Sequence, residues 1–228
     1  MITIDILKIL AADNNIGAYI FHSFPKKQLL QDKIEINKFE EKQIKKALKI
    51  RDEYRLPFWD SVMLTFFQNE NPSLELLKAS QFHNPRNDTF AVKKEDLDMF
   101  WRECNENKEI SYAINSQVIL PNGGKAHIPL IDFHIPLNRN NEFIVEEVIR
   151  ILNLGTGYIL NSGESYHYIG SQILTWDSLL TLLSKGLLFS PIIDRAWVAH
   201  QILERSCSLR IGKKHGTYPT LIKKIGIN

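Results

Sequence analysis

EISYAINSQVILPNGGKAHIPLIDFHIPL, residues 109–137, marks the point where this chain changes from helical to strand periodicity. Asn122-Gly123 lies between two apolar runs, and this dipeptide in that setting is typical of a β-hairpin turn. Before this stretch the apolar residues recur at helical spacing instead. The sequence therefore predicts a mainly helical N-terminal region over residues 1–108 and an α+β core over residues 109–228.

The predicted elements follow from the spacing of apolar residues and from capping signals. In the first region we expect helices over 37–54, 58–68, 71–80 and 93–107. In the second we expect helices over 141–152, 175–186 and 194–206, paired strands around 162–164, and a short strand over 207–212. The second region then has the order β-β-α-β-β-α-α-β, which is an α+β pattern.

Composition limits the class of protein. The chain has 228 residues, 44% of them hydrophobic and 24% charged, which is ordinary for a globular protein. No run approaches 18 apolar residues, so we expect no membrane span. Two cysteines are too few for a disulfide framework, which favours a reducing, cytoplasmic setting. The net charge is +2, yet from Arg205 onward there are six basic residues and no acidic one. Such a segment either attracts phosphates or forms a solvated face.

Asp132 and His134 are the first candidate site. They stand two positions apart on a predicted strand, so their side chains point to the same face. Apolar residues surround them, and a carboxylate there requires a partner or a metal ion. The pair could bind one divalent cation, or both groups could be hydrogen-bonded at a strand end.

A second candidate is SGESYHYIG, residues 162–170. A hydroxyl at Ser162, the turn itself and the imidazole of His167 could together bind a phosphate. A plain hairpin explains the same string.

The third candidate spans residues 192–216. Asp194 follows two isoleucines, and it could be a strand-end carboxylate or a helix N-cap. Arg210 lies on a short strand and is followed by Lys213, Lys214 and His215, an arrangement suited to phosphate recognition.

The order of these pieces resembles the catalytic core of the archaeo-eukaryotic primase (prim-pol) superfamily. That family has a first motif hDhD or hDhE (h is apolar), a second SxH-type motif in an SGxGxH setting, a third hD motif, and often a later Leu-Arg segment. Here these correspond to Asp132, to Ser162 with His167, to Asp194, and to LRIGKKHG at 209–216, over roughly residues 125–218. His134 stands where the family has a second carboxylate, and Glu164 stands where it has a small residue.

The resemblance implies an RRM-like core and a set of residue roles. Asp132, His134 and Asp194 would be catalytic and would bind Mn²⁺ or Mg²⁺. The nucleotide and phosphate contacts would come from a second group: Ser162, His167, Arg210, Lys213, Lys214 and His215.

The implied function is a DNA or RNA primase-polymerase that uses a nucleoside triphosphate and a DNA or RNA template, as in DNA replication. The helical N-terminal region would offer a surface to a protein partner. Three other functions remain open from the residues themselves. One is a catalytically degenerate subunit that binds nucleotide or nucleic acid, which His134 and Glu164 favour. Another is a metal-dependent nuclease, because a mixed Asp/His site suits hydrolysis of phosphate esters. The third is a soluble α+β interaction protein with no site, since function does not follow from fold.

Overall fold

A computed structural model describes residues 1–25, 37–67, 73–81, 88–107, 109–213 and 216–226. The helices are α1 (Thr3–Asp13), α2 (Lys38–Tyr54), α3 (Phe58–Phe66), α4 (Leu74–Ala79), α5 (Leu97–Glu106), α6 (Arg139–Ile151), α7 (Trp176–Gly186) and α8 (Arg195–Glu204). The strands are β1 (Ala18–Pro25), β2 (Asp88–Lys93), β3 (Ile110–Ile119), β4 (Lys125–His127), β5 (Leu130–Asp132), β6 (Gly157–Asn161), β7 (Tyr166–Gly170), β8 (Ser208–Arg210) and β9 (Thr220–Ile225). The helices expected from periodicity are present, with ends that differ by a few residues.

The first antiparallel sheet is built around β3, the strand predicted at the start of the α+β core. Its order is β2-β1-β3-β4, and β8 also pairs with β3. Tyr19 and Phe21 of β1 are fully buried, as aromatic side chains commonly are on the inner face of a sheet. The first 108 residues thus contribute two strands, β1 and β2, that the helical interpretation did not include. β1 pairs with β3, which lies beyond residue 109, and β2 pairs with β1. The division into two domains at that position stays a prediction.

The second antiparallel sheet has the order β5-β7-β6-β9. The β6–β7 hairpin predicted around residues 162–164 is confirmed, and its last pair is Asn161 with Tyr166. β9, at the edge of this sheet, was not expected from the basic tail. Together the two sheets and their helices form an α+β fold with antiparallel sheets, as the sequence indicated.

One hydrophobic cluster runs through both sheets and unites them. It includes Leu7 of α1, Ile114 of β3, Ile131 of β5 and Leu183 of α7, each inaccessible to solvent. Because β8 pairs with β3 and contacts β5, the end of β5 lies beside residues of the first sheet. The candidate site is placed at this junction.

Helices α2, α3 and α4 pack on a separate small cluster centred on Ala47, Val62 and Leu76. Two contacts attach this unit to α8. The guanidinium of Arg195 pairs with the carboxylate of Asp60, and Nε2 of His200 is hydrogen-bonded to the carbonyl oxygen of Ser80 at 2.7 Å. Among the described residues, none of the helices has the length and apolar character needed to cross a bilayer.

Candidate functional site

A cavity of about 1110 Å³ opens where the end of β5, the β6–β7 turn, the start of α8 and the end of α2 come together. Six of the residues singled out in the sequence line it: Asp132, His134, Ser162, His167, Asp194 and Arg210. Residues from three separate segments of the chain therefore reach one space. The lining also includes Glu164, an acidic residue that stands in the second motif where the resembled family has a small residue.

Strand pairing brings Asp132 and His167 together. Asp132, the last residue of β5, is directly opposite His167 of β7 in the antiparallel register. Their side chains approach to 3.4 Å between Oδ1 and Nε2. His167 is buried, whereas about a third of the Asp132 side chain remains exposed to the cavity. The carboxylate that the sequence placed on an apolar strand thus has an imidazole neighbour and an open side.

Asp194 reaches the same place through an antiparallel bridge. Phe133 is paired with Ile193, and the amide of His134 donates to the carbonyl oxygen of Ile192 at 2.7 Å. Asp132 and Asp194 are chain neighbours of the two bridged residues, and both line the cavity although they are far apart in sequence.

The helix N-cap alternative for Asp194 is confirmed. Its Oδ1 accepts hydrogen bonds from the amides of Ala196 at 2.8 Å and Trp197 at 3.1 Å. A carboxylate at this position satisfies two amides that the helix cannot, and it interacts favourably with the helix dipole. Asp194 consequently has a structural task in α8 while its side chain lines the cavity.

His134 lies just beyond β5 and lines the cavity as Asp132 does, but Phe133 and Ile135 line it as well. That Asp132 and His134 share one strand face therefore stays a prediction. The backbone bond from His134 to Ile192 holds it beside the segment that leads into α8. His134 stands where the family that the sequence resembles has a carboxylate, so this wall has one acidic residue fewer.

The turn at Ser162 is held by its own hydrogen bonds. The Ser162 amide donates to the carbonyl oxygen of Ser165 at 3.0 Å, and the two hydroxyls are 3.1 Å apart. The Gly163 amide donates to Oδ1 of Asn161 at 2.7 Å, and Gly163 has a φ of 107°, which suits glycine. The amides of Ser162 and Gly163 are thus used to hold the turn itself.

Arg210 connects β8 to that turn. Its guanidinium donates to the carbonyl oxygen of Ser162 at 2.6 Å and also to the carbonyl oxygen of Gly212. Burial lowers the pKa of Arg210, while the carboxylates of Asp132 and Glu164 act in the opposite direction. The arginine is thus close enough to interact electrostatically with both acids, and its single charge offsets part of theirs.

Lys213 is the described member of the basic group that follows Arg210. It is exposed, and its ammonium lies 4.9 Å from the ring centre of Tyr218. It is not among the described residues that line the cavity, and its predicted phosphate contact stays a prediction. Lys214 and His215 lie outside the described residues, so their predicted contacts also stay predictions.

The cavity also has a wall that sequence reasoning missed. Arg51 and Arg55 from the end of α2 line it, together with Phe24 of β1 and Phe58 of α3. Arg51 lies in the last turn of α2, and Arg55 is the residue directly after the helix. Nothing in the sequence separates them from the many other charges of residues 37–54, so no signal could have identified them.

The donors suit a hard divalent cation only in part. Asp132 and Asp194 supply carboxylate oxygens, and His134 supplies a nitrogen. Within the part of the chain that the structure describes, no three or more His, Cys, Asp or Glu side chains form a ready metal site. Mg²⁺ is commonly bound by one or two carboxylates together with substrate phosphates. The residues therefore fit a divalent ion whose remaining ligands are the phosphates of a substrate.

Comparison with known proteins identifies the family. Residues 92–223 match the family model described as archaeo-eukaryotic primase 1D-like, an AEP-like domain. This span is more than half of the chain and includes all the residues of the three motifs. The chain belongs to the archaeo-eukaryotic primase-like family. No curated protein and no solved structure matched it.

Proposed function

We propose that this protein is a primase-polymerase-type nucleotidyltransferase that joins a nucleotide to a nucleic acid strand with the help of Mn²⁺ or Mg²⁺. The observation that carries the proposal is the meeting of the three family motifs at one cavity. Asp132, His167 and Asp194 take neighbouring positions there through strand register, and Arg210 is hydrogen-bonded to the Ser162 turn. Family membership supplies the reaction class.

In this proposal the nucleotide's phosphates lie against His167, the Ser162 hydroxyl and Arg210. A guanidinium and an imidazole in a half-buried wall offset the charge that develops on the phosphates during transfer. The 3′-hydroxyl oxygen of the strand would form a bond to the α-phosphorus and lose its proton to water. The bond from that phosphorus to the oxygen that bridges it to the β-phosphate would break, releasing pyrophosphate.

Asp132 and Asp194, with His134, would hold the metal. A bound divalent ion lowers the pKa of the attacking hydroxyl and neutralises phosphate charge. Asp132 is oriented by His167, and Asp194 is oriented by its two amide bonds at the start of α8. In this proposal the chain's own contribution is to hold two carboxylates in one cavity before any ligand binds.

The strand order also supports the RRM-like core that the resemblance implied. Successive elements β5, α6, β6 and β7 form a split β-α-β-β unit in which β7 lies between β5 and β6. On the outer side of β5, the bridge from Phe133 to Ile193 adds a short fourth segment. β9 extends the sheet on its opposite edge.

Incorporation of a labelled nucleotide on primed and unprimed templates tests the proposal. We expect extended products with wild-type protein, more in Mn²⁺ than in Mg²⁺ because His134 supplies nitrogen to the site. Asp132→Asn removes the charge and keeps the shape, so it should abolish extension. Asp13→Asn is the matched control, since Asp13 is exposed at the end of α1 and outside the cavity lining. Absence of extension with every template and both metals would refute the proposal.

A second candidate is a subunit that binds nucleotide without turnover. The close approach of His167 to Asp132, together with His134 and Glu164 at positions that the family fills differently, favours it. This function predicts nucleotide binding that survives EDTA and the Asp132→Asn change, without extended products. Shortened strands in the same assay would indicate the nuclease function instead.

A further inference from the structure

The cavity wall opposite the family motifs comes from residues that the family model does not include. Arg51, Arg55, Phe24 and Phe58, which we call the N-terminal wall, all precede residue 92, where the family match begins. Both arginines are exposed and both aromatic rings are partly exposed. Two cations and two aromatic rings at one surface are the features that bind single-stranded nucleic acid: the cations follow the phosphates and the bases stack on the rings.

The fold holds this wall in place. α2 ends at Tyr54, and Arg55 follows it in the left-handed conformation with a φ of 53°. α3 begins at Phe58, directly after that turn. The pair between Asp60 of α3 and Arg195 of α8 fastens the start of α3 to the helix that Asp194 caps. The N-terminal wall therefore has a defined position relative to the aspartates.

The charges on the two sides of the cavity differ. The family motifs contribute Asp132, Asp194 and Glu164, with Arg210 as their cation. On the N-terminal wall Asp52 is the acidic neighbour, and it pairs with Arg51 at 2.8 Å. Both partners of that pair are largely exposed, and such pairs contribute little, so Arg51 can exchange Asp52 for a phosphate. A polyanion is therefore attracted to the N-terminal wall.

The cavity volume of about 1110 Å³ is close to the upper end of the range of about 300–1,000 Å³ that is usual for small-molecule sites. The cavity is thus large enough for a nucleotide on the motif side.

We propose that the N-terminal wall binds the sugar-phosphate backbone and bases of single-stranded nucleic acid and presents the strand to the aspartates. The use of the bound strand as a substrate rests on the proposed function. The binding of the strand does not, because it requires neither nucleotide nor metal. It assigns to the helical region a task at the site itself.

Binding of a fluorescent oligothymidylate of about 16 nucleotides, the upper end of common site sizes, tests this. Anisotropy is measured in EDTA without nucleotide, over a series of salt concentrations. For single strands the slope of log K against log salt changes by about 0.7 for each phosphate contact. The variant Arg51→Gln/Arg55→Gln should therefore bind more weakly and have a slope reduced by about 1.4.

The matched control is Lys42→Gln/Lys49→Gln on the same helix. Both lysines are exposed and stand about 160–180° around α2 from Arg51. This control removes the same charge and should leave affinity and slope close to those of the wild type. Phe24→Leu should weaken binding by about fivefold or more without changing the slope, because it removes a stacking ring and no charge.

Each result has a distinct meaning. Equal losses in the arginine and lysine variants, or no strand binding by the wild type, would overturn the inference. Loss of triphosphate affinity with strand affinity intact would assign the wall to the nucleotide and would also overturn it. If the arginine variant alone loses strand binding while the wild type extends nothing, the inference stands and the proposed transferase activity fails.

Discussion

Arg210→Met tests whether β8 holds the Ser162 turn in place. The change removes the guanidinium that donates to the carbonyl oxygens of Ser162 and Gly212, and Ser162 is buried. Hydrogen bonds from a charged group contribute about 1.5–3 kcal/mol each. Two would total about 3–6 kcal/mol. Burial of the guanidinium, which lowers the pKa of Arg210, offsets part of this, so we expect a loss of about 2–4 kcal/mol in the free energy of unfolding.

Urea denaturation followed by circular dichroism measures the loss. With a slope of about 3 kcal/mol per molar urea, the midpoint should fall by about 1 M. Arg150→Met is the control, because Arg150 is exposed and pairs with Glu147 one turn away on the same helix. Such exposed pairs contribute about 0–1 kcal/mol. Equal midpoints for the two variants would show that Arg210 does not fix the turn, and our description of the site would be wrong on that point.

Two further predictions concern the fold around the site. Gly157→Ala should lower the melting temperature measured by calorimetry by roughly 2–12 °C. The added Cβ would meet the Tyr168 hydroxyl and lie 2.6 Å from the carbonyl oxygen of Ile169. Gly226→Ala is the control, because a Cβ there enters open space and should leave the melting temperature unchanged. Burial lowers the pKa of His127 below 6.5, so the unfolded chain takes up the proton first and stability should fall as the pH drops through 6.5. His127→Asn should make that fall shallower by up to about 1.4 kcal/mol per pH unit, and an unchanged slope in urea titrations at several pH values would contradict the assignment.

The sequence predicted local structure best where periodicity and caps agree. α7 begins at the cap Thr175 and α8 at the cap Asp194, each of which accepts a hydrogen bond from an amide in the first turn. β1 was missed because its partners β2 and β3 are far away in sequence, and strand pairing at that distance leaves no local signal. β9 was missed because its lysines resemble a solvated tail.

For the candidate site, the sequence identified the residue types and their order along the chain. It did not show that these residues lie close together in space. Asp132 faces His167 because of the β5–β7 register, and the bridge between Phe133 and Ile193 brings the residue before Asp194 beside the end of β5. Both are long-range pairings that spacing alone does not determine. The role of Asp194 as an N-cap, in contrast, follows from local chemistry and was among the alternatives.

A crystal structure with a non-hydrolysable nucleoside triphosphate and Mn²⁺ tests the central claim most directly. Anomalous scattering locates the metal independently of the nucleotide. We predict manganese bound between the carboxylates of Asp132 and Asp194, with the triphosphate against His167, Ser162 and Arg210. A nucleotide bound elsewhere, or manganese bound away from both aspartates, would contradict the claim that this cavity is the nucleotidyl-transfer site.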